Sequence, residues 1–226
     1  METGKFGLTL FDILGYLFPG YILLFGFSLL EATFFSSSIF SFQSLSGNIF
    51  FFTIAAYFFG HICHILSSLV KNYGYRLMSK EDRLNRVLYE KFKKEVCRKF
   101  KISTNDVEKL SKLDLFLLAD NYIVSRGMLE ERNSLAVREG FHKSSAMAFG
   151  ILFLIIFCAI FAGGLKFQNF PEILWSISVN ATIAYALIAF SIFLLFVNRY
   201  VFYNRLKVNS IYLLFLATAG NESTNK

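Results

Sequence analysis

The chain has 226 residues, 55% of them hydrophobic, with 29 phenylalanines and a formal net charge of +7. Soluble domains lack uninterrupted apolar runs of about 20 residues, so an ordinary soluble globular domain is excluded. Its 3 cysteines all fall in apolar runs or in the basic middle segment, which excludes a disulfide-stapled secreted scaffold.

Four runs, residues 13–30, 49–70, 146–165 and 173–197, can each cross a ~30 Å hydrocarbon core as helix at ~1.5 Å per residue. The expected fold class is all-α, an integral membrane four-helix bundle with a helical cytoplasmic insertion between spans two and three. Residues 1–70 then hold the N-terminal segment and spans one and two, 71–144 the insertion, 145–205 spans three and four, and 206–226 an interfacial segment and disordered tail.

Run one reads as a span and not a signal peptide, because only Lys5 precedes it, Asp12 is acidic, and no small-residue cleavage site comes before Ile49. Phe18-Pro19-Gly20 interrupts it. Either the span is kinked there, or residues 8–18 form a short interfacial helix and the span starts at Pro19. Both versions stay open. Gly20 and Gly26 allow close approach of a neighbouring helix.

The second span carries Gly60-His61-Ile62-Cys63-His64. His61 and His64 share a helix face, and counting inward from Val70 places both in the inner half of the bilayer. Asp12 falls at the inner end of span one, and Pro19 at about the depth of His61. An antiparallel pair of spans would thus gather Asp12, Pro19, His61 and His64 into one intramembrane polar cluster. Three roles are open for it. The imidazoles can bond to carbonyls freed by Pro19 and to Ser or Asn on other spans. They can handle protons or ions. They can ligate a metal or haem, with Asp12 or Cys63 as a third ligand. Cys63 faces away from the histidines and Asp12 is equally an N-cap, so no metal, cofactor or catalytic residue is assigned.

Residues 71–143 hold 17 of the 23 Lys and Arg against 11 Asp and Glu, a local excess of +6. The loop at 36–48 has no Lys or Arg, and that at 166–172 has one. This asymmetry puts both termini and residues 71–144 in the cytoplasm of a bacterial inner membrane, beside its anionic leaflet. Direct nucleic-acid binding is not expected, because no aromatic-basic fold signature accompanies the charge.

Two amphipathic helices are expected in this middle. In residues 79–101, Leu84, Val87, Leu88, Phe92, Val96 and Phe100 make one stripe. A second helix should start at Ser103 or Thr104, capped with Asp106, and end near Val124. Two helices this short make no large core alone, so their stripes should cover each other, the leaflet or a second copy. Gly127 marks a break, after which the pattern continues into span three. Arg126, Arg132 and Arg138 recur among Glu130, Glu131 and Glu139. They read as a salt-bridged solvated face or as a basic lip for an anionic ligand or partner. Residues 198–206 suit an inner interface, and 211–219 are apolar but too short to span, so they should lie on the membrane or cap the bundle.

No nucleophile elbow, P-loop, dinucleotide fingerprint or paired-carboxylate motif is present, and an enzyme is not expected. The preferred expectation is a multi-span inner-membrane protein that homo-oligomerises and presents its cytoplasmic helices to a soluble partner. The alternative is an ion or proton channel or transporter using His61, His64 and Asp12, and the third reading is a metal-dependent membrane enzyme.

The opening Phe11-Asp12-Ile13-Leu14-Gly15-Tyr16-Leu17-Phe18-Pro19-Gly20, with Gly60-His61 in the next span and an Arg- and Tyr-rich end to the last, resembles a loose group of small bacterial four-span membrane proteins. The resemblance covers the spans better than the middle. Some members belong to antiphage defence systems, such as the membrane component of the Kiwa system. It implies an oligomeric membrane sensor or effector acting with a cytoplasmic partner.

Overall fold

The structure is a computed structural model that describes residues 10–35, 49–68, 83–103, 106, 110–127, 129–169 and 173–224, without some side chains near element ends. Among these residues it is helical apart from one short hairpin. The elements are α1 (Leu10–Phe34), α2 (Ile49–Leu66), α3 (Arg83–Phe100), α4 (Lys112–Ser125), α5 (Leu129–Phe161), β1 (Lys166–Asn169), β2 (Ile173–Ser176) and α6 (Val179–Thr224). Four helices are long and apolar enough to cross a membrane, over Gly15–Phe34, Ile49–Leu66, Asn133–Phe161 and Val179–Ala219. The chain divides into two compact units, Met1–Leu77 with Val137–Val201, and Met78–Ala136 with Phe202–Lys226.

In the first unit α1 runs from Leu10 to Phe34 straight through Pro19. The version with a separate interfacial helix ending at Phe18 therefore does not hold. Leu29 of α1 packs with Leu152, Ile155, Ile156 and Ala159 of α5 and with Ala186 and Ala189 of α6. Leu23, Cys63 and Ala148 join α1, α2 and α5 in the same way. The described part of the second span is Ile49–Leu66, and the hydroxyls of Ser67 and Ser68 donate back to the carbonyls of His64 and Ile65. Such local bonds compete with the helix ladder. The loop at 36–48 and the tyrosine-rich exit at 72–75 lie outside the described residues.

The fourth span starts later than its apolar run. Ile173–Ser176 is a strand paired antiparallel with Lys166–Asn169, and the helix starts only at Val179. Two glycines with positive φ, Gly163 and Gly164, turn the chain out of α5. A side chain on Gly164 would overlap the Ile177 carbonyl. The Ile177 amide donates to the Leu165 carbonyl (2.8 Å), the Leu165 amide to the Thr182 hydroxyl (3.1 Å), and the Lys166 amide to the Thr33 hydroxyl (3.3 Å). These bonds tie the hairpin to α1 and α6.

The second unit contains the largest departures from expectation. Its core joins Phe92 and Val96 of α3, Leu115, Ala119 and Ile123 of α4, and Ile211, Tyr212, Phe215 and Ala219 of α6. Residues 211–219 are thus its third core helix. That helix continues to Thr224, through most of the tail expected to be disordered. Tyr212 stacks on Phe92 (centroids 4.1 Å, 22°), and Phe215 stands edge-on to Phe92 (5.6 Å) and Tyr122 (5.4 Å). Val87 of the expected stripe stays outside this core, 57% exposed.

α3 stops through Lys101, whose φ of 53° lets the Ile102 amide reach the Cys97 carbonyl (3.0 Å), a 6→1 closure of the Schellman type. α4 starts at Lys112, later than the expected Ser103 or Thr104. Serine-x-x-aspartate occurs twice here. At Ser103 the hydroxyl donates to the Asp106 carboxylate (2.6 Å) and accepts from the Asp106 amide (3.2 Å), and Ser111 makes the full capping box with Asp114 at the head of α4. α4 is the helix that carries Leu115, Ala119 and Ile123 into the core.

Phe215→Ala should destabilise the second unit by about 3–5 kcal/mol, read as faster proteolysis within α3 and α4, while Ser111→Ala should cost about 1 kcal/mol. The Ser111 hydroxyl and then its amide hold the Asp114 carboxyl below the usual carboxylate range. Its contribution to folding is present above the unfolded carboxylate value of ~4 and is lost as pH falls through the lower folded value. The protection factors of the first turn of α4, corrected for the intrinsic slowing of exchange in acid, should therefore fall on acidification in the wild type, and Asp114→Asn should remove that step.

Candidate functional site

α1 and α2 touch backbone to backbone. A side chain on Gly20 would overlap the Ala56 carbonyl oxygen and come within 2.9 Å of the Gly60 amide nitrogen. One on Gly60 would overlap the Tyr16 carbonyl oxygen and come within 2.9 Å of the Tyr16 Cα. Tyr16 with Gly20, and Ala56 with Gly60, are each one turn apart, which is how small residues let membrane helices approach.

That approach puts the Tyr16 ring between the two histidines. It stacks on His61 (centroids 4.0 Å, 18°) and meets His64 edge-on (5.6 Å, 65°). Tyr57, one turn before His61 on α2, presents its ring at right angles to the imidazole (4.7 Å, 80°). His64 Nδ1 lies 3.0 Å from the Ser144 hydroxyl of α5, and either group can donate according to the tautomer. Gly140, one turn before Ser144, leaves room for this imidazole, since a Cβ there would sit 3.4 Å from His64 Cε1. Ser144 and its neighbour Ser145 are fully buried.

The expected cluster is assembled in part. His61 and His64 do share a face, joined through Tyr16. Pro19 is buried, but its carbonyl is approached by Cys63 Sγ (3.9 Å) and not by an imidazole. Asp12 lies in the first turn of α1, and its side chain lies outside the described residues. Among the described residues no group of three His, Cys, Asp or Glu converges as metal ligands would. Sequence reasoning passed over Tyr16, Tyr57 and Ser144. Tyr16 was visible as the tyrosine one turn before Gly20, whereas the partnership with Ser144 requires the packing of α5. Chemically the site offers two imidazoles, phenol rings and a hydroxyl, which can hold hydrogen bonds between three helices or relay protons.

The second unit carries the basic surface. Arg126 is the C-cap of α4, with its guanidinium over the Tyr122 ring (5.5 Å), and Lys99 lies 5.2 Å from the same ring. Lys112 lies 5.2 Å from the Tyr89 ring. Burial first, then Glu90 and Cys97, raise the Tyr89 phenol, so it stays neutral beneath the ammonium. Arg126, Arg132 and Arg138 do not form one helix face. Gly127 (φ 79°) separates Arg126 from α5, and a six-residue step on a helix turns about 240° beyond a full circle. Arg138 is exposed, and the Arg132 side chain lies outside the described residues.

Comparison with protein-family models, with curated proteins and with solved structures found no match to this chain.

Gly60→Val should separate α1 from α2 and lower the melting temperature sharply, since overpacking a tight contact costs about 1–3 kcal/mol or more. For His64 and Ser144, a double-alanine cycle in detergent should return a coupling of about 0.6 kcal/mol, the average for hydrogen bonds between membrane helices. A coupling of zero would show that the two groups do not interact.

Proposed function

We propose that this is a multi-pass protein of a bacterial inner membrane whose four spans form a helix bundle anchoring a folded, basic cytoplasmic module, and that this module engages a soluble protein partner. One observation carries the reading: the second unit closes its own core with the end of α6, leaving Lys91, Lys94, Arg98 and Lys101 exposed on and just after α3. A module with its own core, built on Phe92, Val96, Leu115, Ala119 and Ile123, can offer a charged surface for recognition. The orientation rests on the 17 Lys and Arg of residues 71–143. The resemblance of the Phe11–Gly20 opening supplies the biological setting, a membrane sensor or effector in antiphage defence.

Homo-oligomerisation belongs to the same proposal, on grounds other than uncovered stripes in the basic unit. The centre of those stripes is covered from within, and Gly20, Ala56 and Gly60 are used between α1 and α2. What supports self-association is the resemblance of the Phe11–Gly20 opening, which implies an oligomeric four-span membrane protein. The Tyr16–His61–Tyr57 stack with His64 and Ser144 favours a second reading, a proton or ion pathway.

Native mass spectrometry after cross-linking in host membranes should give a defined homo-oligomer with a soluble partner. Lys91→Glu combined with Lys94→Glu should release the partner and leave the oligomer intact. A monomer without a partner would contradict the proposal. A pH-dependent flux in liposomes, lost in His61→Ala and His64→Ala at equal expression, would move the function to the second reading.

A further inference from the structure

An apolar groove of about 330 Å³ opens between α1, α5 and α6 of the first unit. Phe25 and Leu29 line it from α1, Leu152 and Ile156 from α5, and Ile188 and Ile192 from α6. Leu152 and Ile156 are buried, whereas Ile188 is 54% exposed, so the α5 residues form the floor and Ile188 the rim. Tyr185 is the sole residue with a polar side-chain atom among those lining it. A polar ligand would surrender its water here without replacement hydrogen bonds.

The lining residues recur one turn apart, so the groove runs along the helices. Tyr185 to Ile192 covers about 10 Å of helix. A helix from a second copy is a cylinder about 10 Å across, and in lipid it gains no hydrophobic drive to seat on an apolar groove without small or polar partners. A single hydrocarbon chain is thin enough. At the hairpin end the lining reaches Leu165, and the next residue, Lys166, brings an ammonium. The Lys166 amide donates to the Thr33 hydroxyl of α1 (3.3 Å), which fixes the backbone that carries this cation next to Leu165. Tyr185, half exposed, is the lining residue of α6 nearest the start of the helix at Val179. Aromatic hydroxyls and cations at the end of an apolar groove match the headgroup level of a bilayer.

We propose that the groove binds one acyl chain of an anionic phospholipid from the leaflet on the hairpin side, with the phosphate held by Lys166. This rests on the four helices crossing the bilayer and is independent of the partner and of the defence setting.

The test is photolabelling of the full chain in phosphatidylcholine nanodiscs containing phosphatidylglycerol with a mid-chain diazirine, with adducts mapped by mass spectrometry. Labelling at Leu152, Ile156, Ile188 and Ile192 should exceed that at Ile54 and Phe58, exposed residues of α2, several-fold. Unlabelled phosphatidylglycerol should compete better than phosphatidylcholine, and Lys166→Gln should abolish that preference while labelling persists. Ala189→Phe should fill the groove and reduce labelling to the α2 level, and Ile188→Trp at the exposed rim should do the same without burdening the core. Equal labelling of the groove and of α2 overturns the site. Absence of labelling on every helix, α2 included, overturns the membrane insertion beneath it.

Discussion

Between Val179 and Ala219 the chain has neither proline nor glycine, and a helix without either has no cheap place to stop. α6 accordingly runs unbroken from Val179 to Thr224, and both units depend on it. Its first part gives Ala186, Ala189 and Val197 to the cores of the membrane helices. Its last part gives Ile211, Tyr212, Phe215 and Ala219 to the core of the basic unit. Between them Arg199, Arg205 and Lys207 bring charge to a stretch that still buries Tyr200 and Val201. Two helices as short as α3 and α4 cannot bury enough surface to be stable alone, and the end of α6 supplies what they lack.

A second constraint acts within the spans. Lipid offers no hydrophobic drive for helices to pair, so pairing relies on shape and on hydrogen bonds. Gly20, Ala56 and Gly60 provide the shape by bringing two backbones into contact. The Tyr16–His61 stack and the His64–Ser144 bond are consequences of that approach, because they need α1, α2 and α5 at fixed spacing. The same geometry serves a structural role and a proton pathway alike.

Apolar length made the spans legible, since a helix of about 20 apolar residues matches the thickness of the hydrocarbon core. Ambiguity grew as segments shortened. Residues 173–176 continue an apolar run, yet four residues cannot be divided between strand and helix by periodicity. Ser103-x-x-Asp106 and Ser111-x-x-Asp114 are equal as local signals and both bond in the structure, and the core contacts of Leu115, Ala119 and Ile123 show which of them heads the packed helix. Residues 211–219 suit a membrane surface or a core equally well, and the tie is broken by Phe92 and Tyr122 across the unit. Of the intramembrane site, the shared face of His61 and His64 was readable from spacing, while Tyr16, Tyr57 and Ser144 entered through packing between helices.

The central claim is that the end of α6 is the third core helix of the basic unit. Hydrogen–deuterium exchange on the full chain and on a chain ended before Val208, both in mild detergent, tests it most directly. Loss of protection throughout α3 and α4 in the shortened chain, with α1 and α2 unchanged, is the predicted result. Undiminished protection of α3 and α4 would contradict it, since their core would then be closed by something other than Ile211, Tyr212, Phe215 and Ala219.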